Sequence, residues 1–247
     1  MKLEKKNAVI TGATGSIGRA IATELLGKGV NVCMLSRNDV DVQGYYEADY
    51  SGTACVWIYK GDLACEADLI GFCEYIREQV STVDILVHSA GAFAAGSVLE
   101  ARVEELDRLY RVNLRAPYFL TQLLLPMLKQ SKGQIVFMNS SAGVKSVDNL
   151  SQYSSSKFAL HALADCLRQE VNSDGIRVLS IFPGRTASKM QEEYHLTERR
   201  AYVPESLIQA KDIAEITVKS LELPATAEVT DIHIRPFKKT GTVSPGN

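Results

Sequence analysis

Short runs of β-branched and other apolar residues recur along the chain: NAVIT from Asn7, VNVCML from Val30, ACVWIY from Ala54, DILVH from Asp84, GQIVFM from Gly133, IRVLSIF from Ile176 and EVTDIHI from Glu228. Each has the length and composition of a strand. Between them lie segments whose apolar residues fall at helical spacing: Gly18 to Gly29, Asp68 to Val80, Leu99 to Lys129 and Tyr153 to Asn172. Seven strands separated by helices predict an α/β fold with a doubly wound, parallel sheet. No linker rich in proline or glycine breaks the alternation, so residues 1–237 are expected to form a single domain. The last ten residues, KKTGTVSPGN (238–247), have too little apolar content to pack and are expected to form a disordered tail.

Composition narrows the partners. The chain has 247 residues, 46% of them hydrophobic, enough for a sizeable core. Lys plus Arg number 27 against 29 for Asp plus Glu, a balance that offers no broad attraction to nucleic acid or an anionic membrane. Small molecules are the expected partners. The apolar run in MKLEKKNAVITG is too brief for a signal peptide, and the region from Tyr118 to Leu128 is broken by Thr121, Gln122 and Pro126. Five cysteines (Cys33, Cys55, Cys65, Cys73, Cys166) form no C-x-x-C pair and no metal-like group with the four histidines. Free thiols, no metal site and a cytoplasmic location are expected.

The first candidate chemistry follows the first strand, in TGATGSIGRAIATEL. Gly12 permits a tight turn, Gly15 lets backbone approach a phosphate, and Gly18 lets the helix pack on the sheet. The helix N-terminus then faces the anion. The loop residues Gly12, Thr14, Gly15, Ser16, Ile17 and Gly18 are therefore assigned to a dinucleotide. No Gly-Lys-Ser/Thr follows, which disfavours a nucleoside-triphosphate loop. At the end of the second strand an NAD-selective site places an acidic side chain, whereas this chain has Ser36 and Arg37. A guanidinium pairs with a 2′-phosphate that a carboxylate would repel, so NADP(H) is favoured over NAD(H).

A second constellation lies in SQYSSSKFALHAL, where Tyr153 and Lys157 stand four apart and so share a helix face. A free phenol ionises near pH 10, so proton exchange near neutrality asks the site to favour phenolate by about 4 kcal/mol. A neighbouring ammonium is expected to supply part of this.

The glycine turn, the strand end IVFMNSSAG and Tyr153-Ser-Ser-Ser-Lys157, in this order and spacing, resemble the short-chain dehydrogenase/reductase family over nearly the whole chain, which implies a Rossmann fold. The resemblance implies a catalytic set of Asn113, Ser140, Tyr153 and Lys157, with Tyr153 exchanging a proton with substrate oxygen while hydride passes between nicotinamide and the carbinol carbon. Ser140 would steady the substrate carbonyl, and Lys157 would hold the nicotinamide ribose. It further places Asp62 and Leu63 beside the adenine, Ala90 and Gly91 against the cofactor, Pro183 and Gly184 facing the nicotinamide, and Ser188 near the carboxamide. Pro117, lacking an N–H, is expected to kink the helix and free the Asn113 carbonyl for a water leading to Lys157. The segment from Ser188 to Glu205, with Met190, Tyr194, Leu196 and Tyr202, is expected to form a lid.

The chain departs from the family at three places. Ser16 occupies the middle glycine of the usual first motif, a spacing closer to epimerase-type members. His88-Ser89 replaces a usual Asn-Asn, and His88 is read as structural, with a proton relay as the alternative. DIHIRPFKK lacks the Gly-Gly ending of many tetrameric members. A homodimer or homotetramer is still expected, with Leu109, Tyr110, Phe119, Phe158, Leu160 and Leu163 shared between a core face and a partner face. The leading reading is an NADP-dependent oxidoreductase interconverting a carbonyl and a secondary alcohol. The alternatives are a non-catalytic dinucleotide sensor or scaffold and a nicotinamide-retaining epimerase or dehydratase.

Overall fold

The computed structural model describes residues 2–45 and 54–237, so the expected tail, 238–247, lies outside the described residues. The elements run β1 (Asn7–Thr11), α1 (Ser16–Gly27), β2 (Asn31–Ser36), β3 (Val56–Lys60), α2 (Glu66–Gln79), β4 (Ile85–His88), α3 (Val103–Tyr110), α4 (Ala116–Ser131), β5 (Gln134–Met138), α5 (Ser151–Val171), β6 (Arg177–Pro183), α6 (Lys189–Thr197), α7 (Ala210–Leu221) and β7 (Asp231–Ile234). Every apolar run read as a strand becomes one. All seven pair in parallel in one sheet of order β3-β2-β1-β4-β5-β6-β7.

The inner strands are apolar at successive positions because both faces of the sheet are covered. Ala8 and Ile10 pack on one side with Ile21, Leu25, Ile213 and Val218 of α1 and α7. Val9 between them points to the other side, where Phe72, Leu120, Leu124 and Leu160 of α2, α4 and α5 gather. The strand order reverses between β1 and β4, and the crevice at their C-terminal ends is where such sheets bind ligands.

The helical spacing from Leu99 to Lys129 resolves into α3 and α4 joined by a π turn, Arg111–Arg115, in which the Ala116 N–H donates to the Arg111 carbonyl five residues back. Pro117 falls in the first turn of α4, so the irregularity expected of it takes the form of a widened turn around Asn113. The structure adds two helices the apolar spacing did not single out. One is α6, inside the expected lid. The other is α7, whose start is fixed by a reciprocal bond pair between Gln209 and Asp212. Of the apolar positions expected to serve two faces, Leu109 and Leu160 are buried, Phe119 and Leu163 pack partly on the core, and Tyr110 and Phe158 are exposed. Among the described residues no helix is long and apolar enough to cross a membrane.

Candidate active site

The β1–α1 turn is built by close backbone approach. Gly12 has φ +69°, and a Cβ there would lie 2.5 Å from the Ala90 amide nitrogen, so the turn meets the end of β4 with no room for a side chain. Thr14, Gly15 and Ser16 are exposed, Ile17 is half-buried and Gly18 is buried against the turn. Gly15 caps α1 without any side-chain hydrogen bond, which leaves the first amides of the helix facing outward, the donor set an anionic pyrophosphate requires. Ser36 is buried and its hydroxyl donates to the Asn38 carbonyl at 2.9 Å. Arg37 beside it is exposed and has no ion pair or hydrogen bond among the described residues. Asp62 accepts the Ala64 N–H at 2.9 Å in a turn after β3, over the buried Leu63.

Four elements converge on Tyr153. The Tyr153 hydroxyl lies near enough to Ser140 for that side chain to act on its ionisation; Ser140 follows β5, and its own N–H is held by the Asn139 carboxamide oxygen at 2.9 Å. Lys157, one turn along α5, is buried and donates from Nζ to the Met138 carbonyl at 3.0 Å. Its Nζ lies 5.9 Å from the centre of the Tyr153 ring. A Cβ on Gly91 would stand 3.6 Å from Asn113 Oδ1 and 3.8 Å from Lys157 Nζ, so Gly91 sits where the two side chains approach. Asn113 is fully engaged: Oδ1 accepts the Ala92 N–H, and Nδ2 donates to the Ala92 carbonyl and to Ser156 Oγ. The Ser156 hydroxyl in turn donates to the Tyr153 carbonyl at 2.8 Å, which ties the π turn to the start of α5. Pro183 is buried and Gly184 donates its N–H to the Ile234 carbonyl. The Ser188 hydroxyl is used as the N-cap of α6, accepting the Gln191 N–H.

Burial dominates the electrostatics of the pair. The phenol of Tyr153 is pushed up from its ordinary value, because burial outweighs the opposing hydrogen bond from Ser140. The ammonium of Lys157 is pushed down to about 8, again by burial. Lys157 turns toward the Met138 carbonyl, and the protein's own groups therefore hold Tyr153 protonated at neutral pH.

His88 is buried in β4, with Nε2 at 2.8 Å from Thr121 Oγ1 and its ring stacked on Phe137. Burial lowers its pKa to about 3, so it is neutral in the fold. Unfolded, a histidine takes up a proton near pH 6.5; folding stability attributable to this site is therefore intact above that pH and lost as pH falls toward 3. At pH 4.5 the loss is about 3 kcal/mol. Urea unfolding of His88→Asn should show a correspondingly shallower decline between pH 6.5 and 4.5, and parallel declines would reject this account.

Several residues at the site escape a reading of motifs. Asn139 and Ser156 hold Ser140 and Asn113, but stand in serine-rich stretches that give no hint which member points inward. Phe93 meets the Tyr153 ring edge-on at 5.0 Å, and Tyr194 meets Phe93 at 5.1 Å. No sequence spacing announces contacts between residues so far apart. Both buried cysteines, Cys33 and Cys73, have thiols pushed up to about 12 by burial and are inert core residues. Among the described residues one group of ligand-type side chains, His161, Asp165 and Asp231, gathers beside β7; Asp165 there pairs with Arg168 at 2.7 Å, as in an ion-pair cluster.

A parallel sheet with a glycine turn at its switch point and a Tyr–Lys–Ser–Asn cluster at the neighbouring strand ends is the framework of a dinucleotide-using oxidoreductase. A family model described as short chain dehydrogenase matches residues 6–199, and the chain belongs to that family of oxidoreductases. An uncharacterized oxidoreductase of Staphylococcus epidermidis is 29% identical over 236 residues, covering 95% of this chain and 99% of that protein. One of Staphylococcus aureus is also 29% identical, over 235 residues, with 95% and 98% covered. In fold, the chain matches an alcohol dehydrogenase of the archaeon Thermococcus sibiricus complexed with 5-hydroxy-NADP, with a TM-score of 0.82, 24% identity, and 96% of this chain and 99% of that one covered. A metagenomic short-chain oxidoreductase in complex with NADP matches with a TM-score of 0.80 and 24% identity, over 96% of this chain and 100% of that one.

Proposed function

We propose that this protein reduces a carbonyl compound to a secondary alcohol, and runs the reverse, with NADP(H) as cofactor and Tyr153 as the proton donor. The observation that carries this reading is the buried Tyr153 side chain, with Lys157 Nζ 5.9 Å from its ring, Gly91 next to that amine and Ser140 acting on its hydroxyl. Bound along the crevice, a nicotinamide would supply the hydride chemistry. The uncapped amides of α1 would hold its pyrophosphate, and Arg37 the 2′-phosphate, as the NADP forms in the two solved structures of the same fold support.

The residues divide the remaining work. Tyr153, held protonated by burial, delivers its proton to the substrate oxygen, and Ser140 orients that oxygen. Lys157 has one N–H on the Met138 carbonyl and directs its others to the ribose. Asn113 positions Ala92 and, through Ser156, the first turn of α5. With the phenol raised rather than lowered, proton donation is the easier direction near neutral pH, and oxidation is expected to need a higher pH. The exposed Tyr110, Tyr118 and Phe158 on α3, α4 and α5 support association of two or more copies.

A panel of carbonyl compounds assayed with NADPH and NADH in parallel, following reduced-nicotinamide absorbance, tests the reading. Arg37→Glu should lower the ratio of kcat/KM for NADPH over NADH by about a hundredfold, since a charge-assisted pair becomes a repulsion. An NADH preference in the unaltered protein would overturn the cofactor assignment. Absence of any net absorbance change would favour a nicotinamide-retaining reaction or a binding role.

A further inference from the structure

We propose that Phe93 and Tyr194 form the substrate-facing wall beside Tyr153 and select an uncharged carbonyl compound bearing an aryl group next to the reacting carbon. The inference rests on the hydride-transfer reading above and names its substrate class. Phe93 stands edge-on to Tyr153 at 5.0 Å and 65°, and Tyr194 edge-on to Phe93 at 5.1 Å and 63°. Both Phe93 and Tyr194 are only partly buried, so each keeps ring surface open for a third aromatic group in the same edge-to-face geometry. The apolar side chains buried with them are Ala92, Leu109, Ala142 and Leu150.

The two arginines that touch this wall are already paired. Arg185, which follows Pro183-Gly184, makes a two-bonded ion pair with Glu198 at 2.6 and 2.7 Å, and its guanidinium lies 5.2 Å above the Tyr194 ring. Arg108 pairs with Glu105 at 2.7 Å and donates to the Phe93 carbonyl at 3.0 Å, which fixes the loop carrying Phe93. Arg200, the other cation acting on Glu198, is exposed and solvated. Lys157, the cation beside Tyr153, is committed to the Met138 carbonyl and, in the reading above, to the cofactor ribose, so a substrate carboxylate or phosphate would lose its water without a cation free to bond it, a cost that an uncharged aryl compound avoids. Arg185 and Glu198 are thus positioning residues that hold Tyr194 against Phe93, their charges matched to each other.

Three substrates assayed with NADPH decide it: a phenyl alkyl ketone, a dialkyl ketone of similar size and a 2-oxo carboxylate. The unaltered protein should use the phenyl ketone at least tenfold better in kcat/KM than either of the others. Phe93→Ala should reduce that value by about tenfold, chiefly through KM, and the dialkyl ketone's by less than threefold, because an aromatic contact is lost only with the aryl substrate. NADPH affinity, read by fluorescence titration, reports whether the cofactor crevice has survived the change. Phe93→Leu, which keeps apolar volume, should give the same ordering if the alanine variant does not fold. Glu198→Gln should raise the phenyl ketone's KM by a larger factor than it lowers kcat. Preference for the 2-oxo carboxylate, or equal losses on both ketones, would overturn the wall while leaving the reductase reading intact. Failure to oxidise NADPH with any of the three, or with the wider panel, would overturn both.

Discussion

Tyr153→Phe is expected to lower turnover by about 10³-fold while NADPH affinity stays within about twofold. The change removes one oxygen and nothing else: the ring keeps its edge contact with Phe93 and its place in the apolar cluster with Leu109, Ala142 and Leu150. What disappears is the proton that burial keeps on the phenol against the opposing influence of Ser140. Substrate reduction then depends on a proton from water, with no positioned donor in its place. Reduced-nicotinamide absorbance measures the first quantity and fluorescence titration the second; turnover within tenfold of the unaltered protein would remove Tyr153 from the proton-donor role.

Gly18→Ala should have the largest effect on stability, a loss of about 3 kcal/mol and roughly 10 °C in Tm. A Cβ at Gly18 would overlap the Gly12 carbonyl oxygen and lie 2.7 Å from its carbon. Both are backbone atoms, so no side-chain rotation relieves the clash, and α1 would have to lift from the sheet. That helix buries Ile21, Ala22, Leu25 and Leu26, so lifting it opens one side of the core. At Gly27, the far end of α1, an added methyl group would meet nothing within 4 Å. Gly27→Ala is therefore the matched control, expected to be neutral or to stabilise by up to about 1 kcal/mol. Thermal and urea unfolding of the two variants compare them directly, and equal stabilities would refute the packing argument.

The sheet can be read from the chain because buried parallel strands need apolar residues on both faces, and NAVIT, DILVH and GQIVFM meet that need without help from distant contacts. The helices divide differently. α5 shows its apolar face plainly, whereas α6 buries only His195 and carries no periodic stripe to recognise. α7 has such a stripe in Ile213, Ala214, Thr217, Val218 and Leu221, and is legible in principle. At the site, Tyr153 and Lys157 are joined by helical geometry, and four residues of sequence suffice to see them. Phe93, Arg185, Tyr194 and Glu198 come from three separate segments, and only the folded chain brings them to one wall. The protonation of Tyr153 escapes the sequence for the same reason: a pairwise spacing shows a nearby cation, but not how deeply the phenol is buried or that the cation leans toward a carbonyl.

That carbonyl belongs to Met138, the final residue of β5, so the amine of Lys157 takes its bearing from the sheet and not from the segment that precedes α5. The stretch from Val144 to Asn149 lies on the outside of the molecule between the two. A change of length in that exposed stretch is expected to leave the bond from Lys157 to β5 in place, so the amine would keep its position while the surface around it varies.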